Sequence, residues 1–407
     1  MKTVDQANPS RLFLTLVIGA CTLLVVPYAT GLATYWSQTN MALLAPRNIL
    51  AVGGLVAAAV AVMARPRLSL SLWLLLALMT VRLVDAFARG HGDHDFNPIA
   101  RSVAALLFCC ILCALAGDTK AFRLAAITSA TMVLIVNAAL NYWEWSNPGY
   151  FSGAEGRSAG LLGNANVAAY SIALMLAAIL ATGVPRAFAY GLISIAAIGI
   201  FFTLSRGGAV SWILVVGVYI LTTFEARARS LTIALVLLAA SALLIFYLIS
   251  SSGLSVSNAD VRGRFALFSG RIESLDINDS SRVDLFWEGI DGIKKEPLFG
   301  YGTFAASGFV FRPHNEFLAV WLDNGIIGIA LFVSAIFFLG LECYRARQRV
   351  LFVGYIGLLS TTPFSHNLLE DYSFLPAWVV CAVCAMAALN MRRERAPSVH
   401  RQTAIAS

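Results

Sequence analysis

Charge is what this sequence is short of. Asp, Glu, Lys and Arg make up 13% of its 407 residues, against about 25% in soluble domains. Hydrophobic residues reach 59% and mean hydropathy +0.76, so lipid rather than water is the expected solvent. A basic stripe interleaved with aromatics is missing too. The net charge of +7 therefore does not read as a nucleic-acid surface, and no nucleic-acid partner is expected. The long polar stretch holds no cysteine. Cys21, Cys109, Cys110, Cys113, Cys343, Cys381 and Cys384 all lie in or beside apolar segments, which excludes a disulfide framework. Cys110 and Cys113, like Cys381 and Cys384, have the spacing of metal or redox pairs but no neighbouring His or carboxylate. They read as small residues that ease helix packing. A small-x-small cleavage site followed by a soluble domain is also lacking, so the first helix reads as a retained anchor. No fixed-period repeat and no inverted pair of broken helices can be seen.

Long apolar runs are what the chain has instead. A membrane span needs about 20 apolar residues. Candidate segments are 11–29, 47–64, 68–85, 98–116, 121–140, 164–182, 186–204, 208–224, 230–250, 318–343, 349–365 and 372–391. The expected fold is all-α and polytopic, with about twelve transmembrane helices. Helices 1 to 9 fall within 1–250, a long loop spans 251–317, helices 10 to 12 fall within 318–391, and 392–407 is a basic tail. Lys and Arg concentrate on one side: Lys2, Arg11, Arg65, Arg67, Lys120, Arg123, Arg186, Arg227, Arg229, Arg345, Arg347, Arg349 and the tail. By the positive-inside rule that side is cytoplasmic, both termini lie there, and the long loop faces out.

The outer side then collects the unusual chemistry. It holds loop 31–46, the His/Asp-rich loop 86–97, the aromatic loop 141–163, the tight turn at Ser205–Gly208, the long loop and turn 366–371. Within the long loop, 281–295 reads as an amphipathic helix. Ser281 would cap it, and Val283, Phe286, Trp287, Ile290 and Ile293 would form its apolar stripe. Pro297 and Gly300-Tyr301-Gly302 end it.

Several residues are candidates for function. Arg206 sits between two spans, beside Gly207 and Gly208, which permit close backbone approach. A guanidinium there suits a phosphate by bidentate contact, while a merely snorkelling arginine is the plainer reading. Arg282 opens the amphipathic helix, where a cation opposes the helix dipole and so points to an anionic partner. His314 stands where the long loop re-enters the membrane, beside Arg312, Asn315 and Glu316. An imidazole with an ordinary pKa near 6.5 can serve as a base at neutral pH. Asn324-Gly325 and Gly328 should bend or thin the helix behind it. His91-Gly92-Asp93-His94-Asp95 looks like a metal loop without further ligands and reads as solvated, so no metal is expected. His366-Asn367 with Glu370-Asp371 reads as polar capping of a helix end.

These pieces, in order, resemble the O-antigen ligase/polymerase superfamily. The resemblance rests on Gly163-Asn164-Ala165-Asn166, Ser205-Arg206-Gly207-Gly208, Arg282 to Trp287, and Glu296 to Gly302. It rests further on His314-Asn315-Glu316-Phe317-Leu318 and Asn324-Gly325-Ile326-Ile327-Gly328. Asp323 departs from the Glu frequent in that family, and Pro313 restricts the backbone before the histidine. The resemblance implies a GT-C-like, metal-independent glycosyltransferase of the bacterial inner membrane, with its active site facing the periplasm. Its donor would be an undecaprenyl-diphosphate-linked glycan and its acceptor lipid A-core oligosaccharide. By motif match, His314 would be catalytic and Arg206 and Arg282 would hold the donor diphosphate, with Ser205, Asn164, Asn166 and Asn315 in support. No cofactor is implied. A polymerase shares these motifs. A lipid-sugar transporter or flippase would need charge at midplane depth, and Arg82 with Asp85 is the hint of that.

Overall fold

The computed structural model of the protein describes residues 11–33, 35, 68–89, 96–117, 119–152, 156–223, 276–308, 313–365 and 368–395. Among them there are helices and no strand. In chain order they are α1 (Arg11–Ala29), α2 (Leu70–Ala88), α3 (Phe96–Leu115), α4 (Thr119–Ser146), α5 (Ala165–Ala181) and α6 (Arg186–Thr203). Then follow α7 (Arg206–Thr223), α8 (Asp276–Lys295), α9 (Ala305–Gly308), α10 (Glu316–Ala346), α11 (Leu351–Thr361) and α12 (Phe374–Arg395). Single 3-10 turns stand at Gly160–Leu162, Thr362–Phe364 and Leu368–Glu370.

Seven of these helices are long and apolar enough to cross a membrane: α1, α2, α4, α6, α7, α10 and α12. Three further apolar helices are shorter, at Arg101–Leu115, Ala165–Ala181 and Leu351–Phe364. Over its described residues the chain is thus all-helical, and it is a multi-pass membrane protein. Every expected span that falls on described residues is a helix, and the expected spans 47–64 and 230–250 lie outside those residues.

Helix α5 is the axis of the bundle. Nearly all its residues are buried, and α4, α6, α7, α11 and α12 pack around it. Its sequence explains this. Small side chains recur along it, and between lipid-embedded helices close backbone approach replaces the hydrophobic drive of water. Neighbouring glycines complete the fit. A Cβ on Gly357 of α11 would collide with Ala177 of α5, and one on Gly199 of α6 would meet Ala138 and Ile172. The cysteines take the same part: Cys381 abuts Gly354, and its Sγ lies 3.7 Å from that of Cys343, both thiols free.

Three boundaries and one residue of the expected apolar stripe differ from expectation. α4 runs to Ser146, so 141–146 is helix rather than loop. The Glu144 carboxylate at its end accepts the backbone N–H groups of Phe151 (3.3 Å), Ser152 (2.6 Å), Ala159 (2.6 Å) and Gly160 (2.7 Å), and the following loop folds around it. α7 begins at Arg206, which places that residue in the first helical turn and not in a linking turn. α8 begins at Asp276, so Ser281 lies inside the helix and does not cap it, and Arg282 is not in its first turn. On α8, Phe286, Ile290 and Ile293 pack against α10, whereas Trp287 is 58% exposed and leaves the expected stripe.

Candidate functional site

Two of the resemblance motifs, separated by more than thirty residues, build the first cluster. Ser205 caps α7: its Oγ accepts the N–H of Gly208 (3.2 Å) and donates to the side-chain oxygen of Asn166 (2.9 Å). The same oxygen accepts Nη2 of Arg157 at 2.9 Å, and Nε of Arg157 donates to the Thr203 carbonyl at 3.0 Å. Asn164 caps α5, accepting from Asn166 N (2.9 Å) and Val167 N (3.4 Å). Asn164, Asn166, Ser205 and Arg157 therefore form one hydrogen-bonded group at the junction of α5, α6 and α7. Arg206 follows directly, exposed at the N-terminus of α7, where the positive end of the helix dipole reinforces its charge. Arg157 was invisible as a partner in the sequence, because it stands in a polar loop with no motif around it.

The motifs at Glu296–Gly302 and Asp323–Gly328 build the second cluster, and they are two halves of one joint. Gly325 has φ 62° and ψ −157°, a backbone region that is essentially glycine's own, and it breaks α10 as expected. The freed carbonyls of Leu322 and Asp323 accept the N–H groups of Tyr301 (2.6 Å) and Gly302 (2.9 Å), and Ile326 N donates back to the Leu298 carbonyl (3.2 Å). Gly300 (φ 65°) lies so close to this break that a Cβ there would strike the Leu322 carbonyl. A Gly325→Ala change adds a methyl against the Leu298 carbonyl and forces the backbone conformation, a strain of about 1–3 kcal/mol before the collision is counted. The thermal midpoint of the detergent-solubilised variant should fall clearly. Gly217→Ala, whose added methyl meets open space, should leave it nearly unchanged.

Helix α2 clamps the joint with three ionisable residues on one face. Arg82 donates to Asp323 (3.1 Å) and Glu370 (3.0 Å) and lies over the Phe304 ring, 5.5 Å from its centroid. Asp85 accepts from Thr303 N (2.6 Å) and Asn324 Nδ2 (3.3 Å). Arg89 pairs with Asp85 (2.8 Å) and donates to the carbonyls of Gly300 (2.7 Å) and Phe299 (2.8 Å). Asp323 also accepts Ala306 N at 2.8 Å. In the turns outside the spans, burial pushes the Glu370 carboxyl up to about 8 and that of Asp371 up to about 6. Asp371 accepts Ser373 N (2.9 Å) at the start of α12, the helix-end capping expected of this segment.

His314 stands just before α10, half-buried, with φ 47° in the left-handed region. Asn315 caps α10, accepting from Phe317 N (3.0 Å) and Leu318 N (3.3 Å). Pro313 touches the position where a Cβ on Gly289 of α8 would stand, so the surface helix rests against the chain that carries the histidine. Arg282 lies two helical turns before Gly289 on α8. The buried Glu316 carboxylate accepts Leu368 N (2.8 Å) and Leu369 N (3.3 Å). At its other end the same turn segment meets α5 and α7. The Tyr170 hydroxyl donates to the Phe364 carbonyl (3.2 Å), and a Cβ on Gly207 would meet both Tyr170 and Phe364. Phe364 thus lies against the start of α7, which carries Arg206, and Leu368 and Leu369 lie against the start of α10, beside His314, on one end of the bundle. His366, Asn367, His91 and His94 lie outside the described residues. Among the described residues no group of three or more His, Cys, Asp or Glu side chains could hold a metal ion.

Residues 191–333 match the family model described as O-antigen ligase. The match includes the motifs at 205–208, 296–302, 314–318 and 324–328 and leaves Asn164 and Asn166 outside it. Comparison with curated proteins finds no match.

Proposed function

We propose, with the match of residues 191–333 to the O-antigen ligase family model as premise, that this multi-pass membrane protein is a lipid-sugar-dependent glycosyltransferase. In this reading it moves a glycan from undecaprenyl diphosphate to lipid A-core at the periplasmic face of the inner membrane. Its full set of about twelve spans adopts a GT-C-like arrangement with cytoplasmic termini. The observation that carries the reading is that the start of α7, with Arg206, meets Phe364 while the start of α10, beside His314, meets Leu368, so that both residues stand on the same end of the bundle. The half-buried histidine's strained backbone conformation adds to it, because such strain collects at functional sites.

The chemistry follows from the charges. An acceptor hydroxyl attacks the anomeric carbon, a carbon–oxygen bond forms, and the bond to the diphosphate breaks with inversion. His314 takes the hydroxyl proton. The departing diphosphate carries the negative charge away, stabilised by the guanidinium groups of Arg206 and Arg282 and by the N-terminus of α7. Ser205, Asn164, Asn166 and Asn315 hold the starts of α5, α7 and α10 in place and are positioning residues. Arg206→Lys keeps the charge and loses the planar fork, so KM for the lipid-linked donor should rise severalfold with normal membrane insertion. Steady-state kinetics with purified donor checks this, and an unchanged KM removes Arg206 from the donor site.

The deciding experiment mixes purified protein, diphosphate-lipid-linked glycan and lipid A-core and follows the acceptor by gel mobility. A ligated, slower band is expected. Lengthening of glycan on the carrier lipid without any acceptor identifies a polymerase instead. Absence of both products overturns the transferase reading.

A further inference from the structure

The end of the bundle opposite Arg206 and His314 holds a second gathering of arginines. α6 and α11 begin there, α10 ends, α7 arrives with its last described turn, and among them lies a cavity of about 620 Å³. Arg186, Arg347 and Arg349 line it, and the guanidinium of Arg123 lies 3.9 Å from where a Cβ on Gly183, another lining residue, would stand. No carboxylate is among the described residues that line it. Part of this charge serves the fold. Arg186 Nη2 donates to the Thr223 carbonyl (3.2 Å) at the end of α7, and Arg347, at φ 54°, closes α10. Two helix N-termini add further positive potential: α6 starts behind Pro185 and α11 behind Val350, neither with a side-chain cap.

A second observation points to a ligand. Tyr219 is 2% exposed and lines the cavity, and its hydroxyl and the buried one of Thr223 beside it have no partner beyond each other. Buried polar groups are rarely left so, because each costs about 1–3 kcal/mol. An anion seated among the arginines would accept from both. The surroundings identify its carrier. Phe188, Leu221 and Tyr344, on the terminal turns of α6, α7 and α10, are exposed large apolar side chains on a membrane-spanning bundle. Acyl chains would run along them while the headgroup enters the cavity.

We propose that this cavity binds the phosphate of an anionic phospholipid, held by Arg186, Arg347 and Arg349 and by the hydroxyls of Tyr219 and Thr223. The site is independent of the transfer chemistry, sharing no residue with it. Arginine forks match phosphate oxygens in pairs, and basic pockets between membrane helices at the headgroup level are suited to such lipids.

The test uses the full chain purified in detergent, delipidated, and titrated with phosphatidylglycerol, phosphatidylcholine or inorganic phosphate, with native mass spectrometry and thermal unfolding as readouts. Phosphatidylglycerol should bind at least tenfold more tightly than phosphatidylcholine and raise the unfolding midpoint. Arg349→Ala should weaken that binding by about tenfold, the loss of one charge-assisted contact. Tyr219→Phe removes a hydroxyl whose one partner without ligand is that of Thr223. It should leave the lipid-free midpoint unchanged or raised while the lipid-induced shift shrinks, a pattern that simple misfolding does not produce. Equal binding of the two lipids, or wild-type affinity in both variants, overturns the proposal. Displacement of the lipid by millimolar inorganic phosphate, with the same stabilisation, overturns the lipid assignment in favour of free phosphate.

Discussion

His314→Ala should lower glycan transfer by about 10²–10⁴-fold while the protein still inserts and unfolds at its usual temperature. The size of the drop is that of a lost general base. The leaving diphosphate needs no protonation to depart, so proton removal from the acceptor hydroxyl is the step left to the protein. The stability half of the expectation comes from the structure. The helix start beside His314 is held by the Asn315 cap and by the Glu316 contacts with Leu368 and Leu369, neither of which uses the imidazole ring. Removing a left-handed residue's side chain in favour of alanine does not relieve its φ of 47°, so the backbone strain is left as it was. The wild-type enzyme should also lose activity on acidification, as protonation of the imidazole removes its capacity to accept. Measurement of transfer rate against pH, alongside a normal unfolding midpoint for the variant, separates a chemical loss from a structural one. A variant that ligates at the wild-type rate ends the base role.

Arg82→Met should do the reverse: it should cost the fold first and the chemistry only as a consequence. Arg82 is the cation between Asp323 and Glu370, with side-chain exposures of 5%, 3% and 13%. Its removal strands two carboxylates in the bundle, and breaking a buried pair in this way costs about 3–5 kcal/mol. That is a large part of the roughly 5–15 kcal/mol by which whole proteins are stable. The joint formed by Glu296–Gly302 and the break at Gly325 then loses one of its ties to α2, leaving Asp85 and Arg89. Yield of monodisperse, detergent-extracted protein should fall severalfold and its unfolding midpoint should drop by many degrees. Arg82→Lys should recover part of the loss, because an ammonium can keep one of the two contacts but not both in the same plane. A fully stable Arg82→Met protein would mean that the network is not what holds α10 at its break.

The placement of Arg82 also changes how one feature of the sequence reads. Arg82 and Asp85 near the end of an apolar helix look like charge at depth, which transport would require. In the folded chain their partners are Asp323, Glu370, Thr303 and Asn324, and they secure a helix break. The spacing of Arg82, Asp85 and Arg89 at i, i+3 and i+7 was a usable signal, since it puts all three on one helix face. Their partners lie more than two hundred positions away and could not be named from it.

Membrane residence, helical content and most helix positions were legible from the sequence alone, because a chain in lipid must satisfy its backbone within each segment and a span has a required length. The family resemblance was legible too, carried by short motifs in a set order. What the tertiary structure decided is which motifs meet. Asn166 and Ser205 share a hydrogen bond, and Glu296–Gly302 completes the broken α10. Phe364 meets the helix start that carries Arg206, and Leu368 meets the one beside His314. Local propensity has no information about such meetings. They arise from close packing around α5 and from the need of a broken helix to find partners for its freed carbonyls, and both are properties of the assembled bundle.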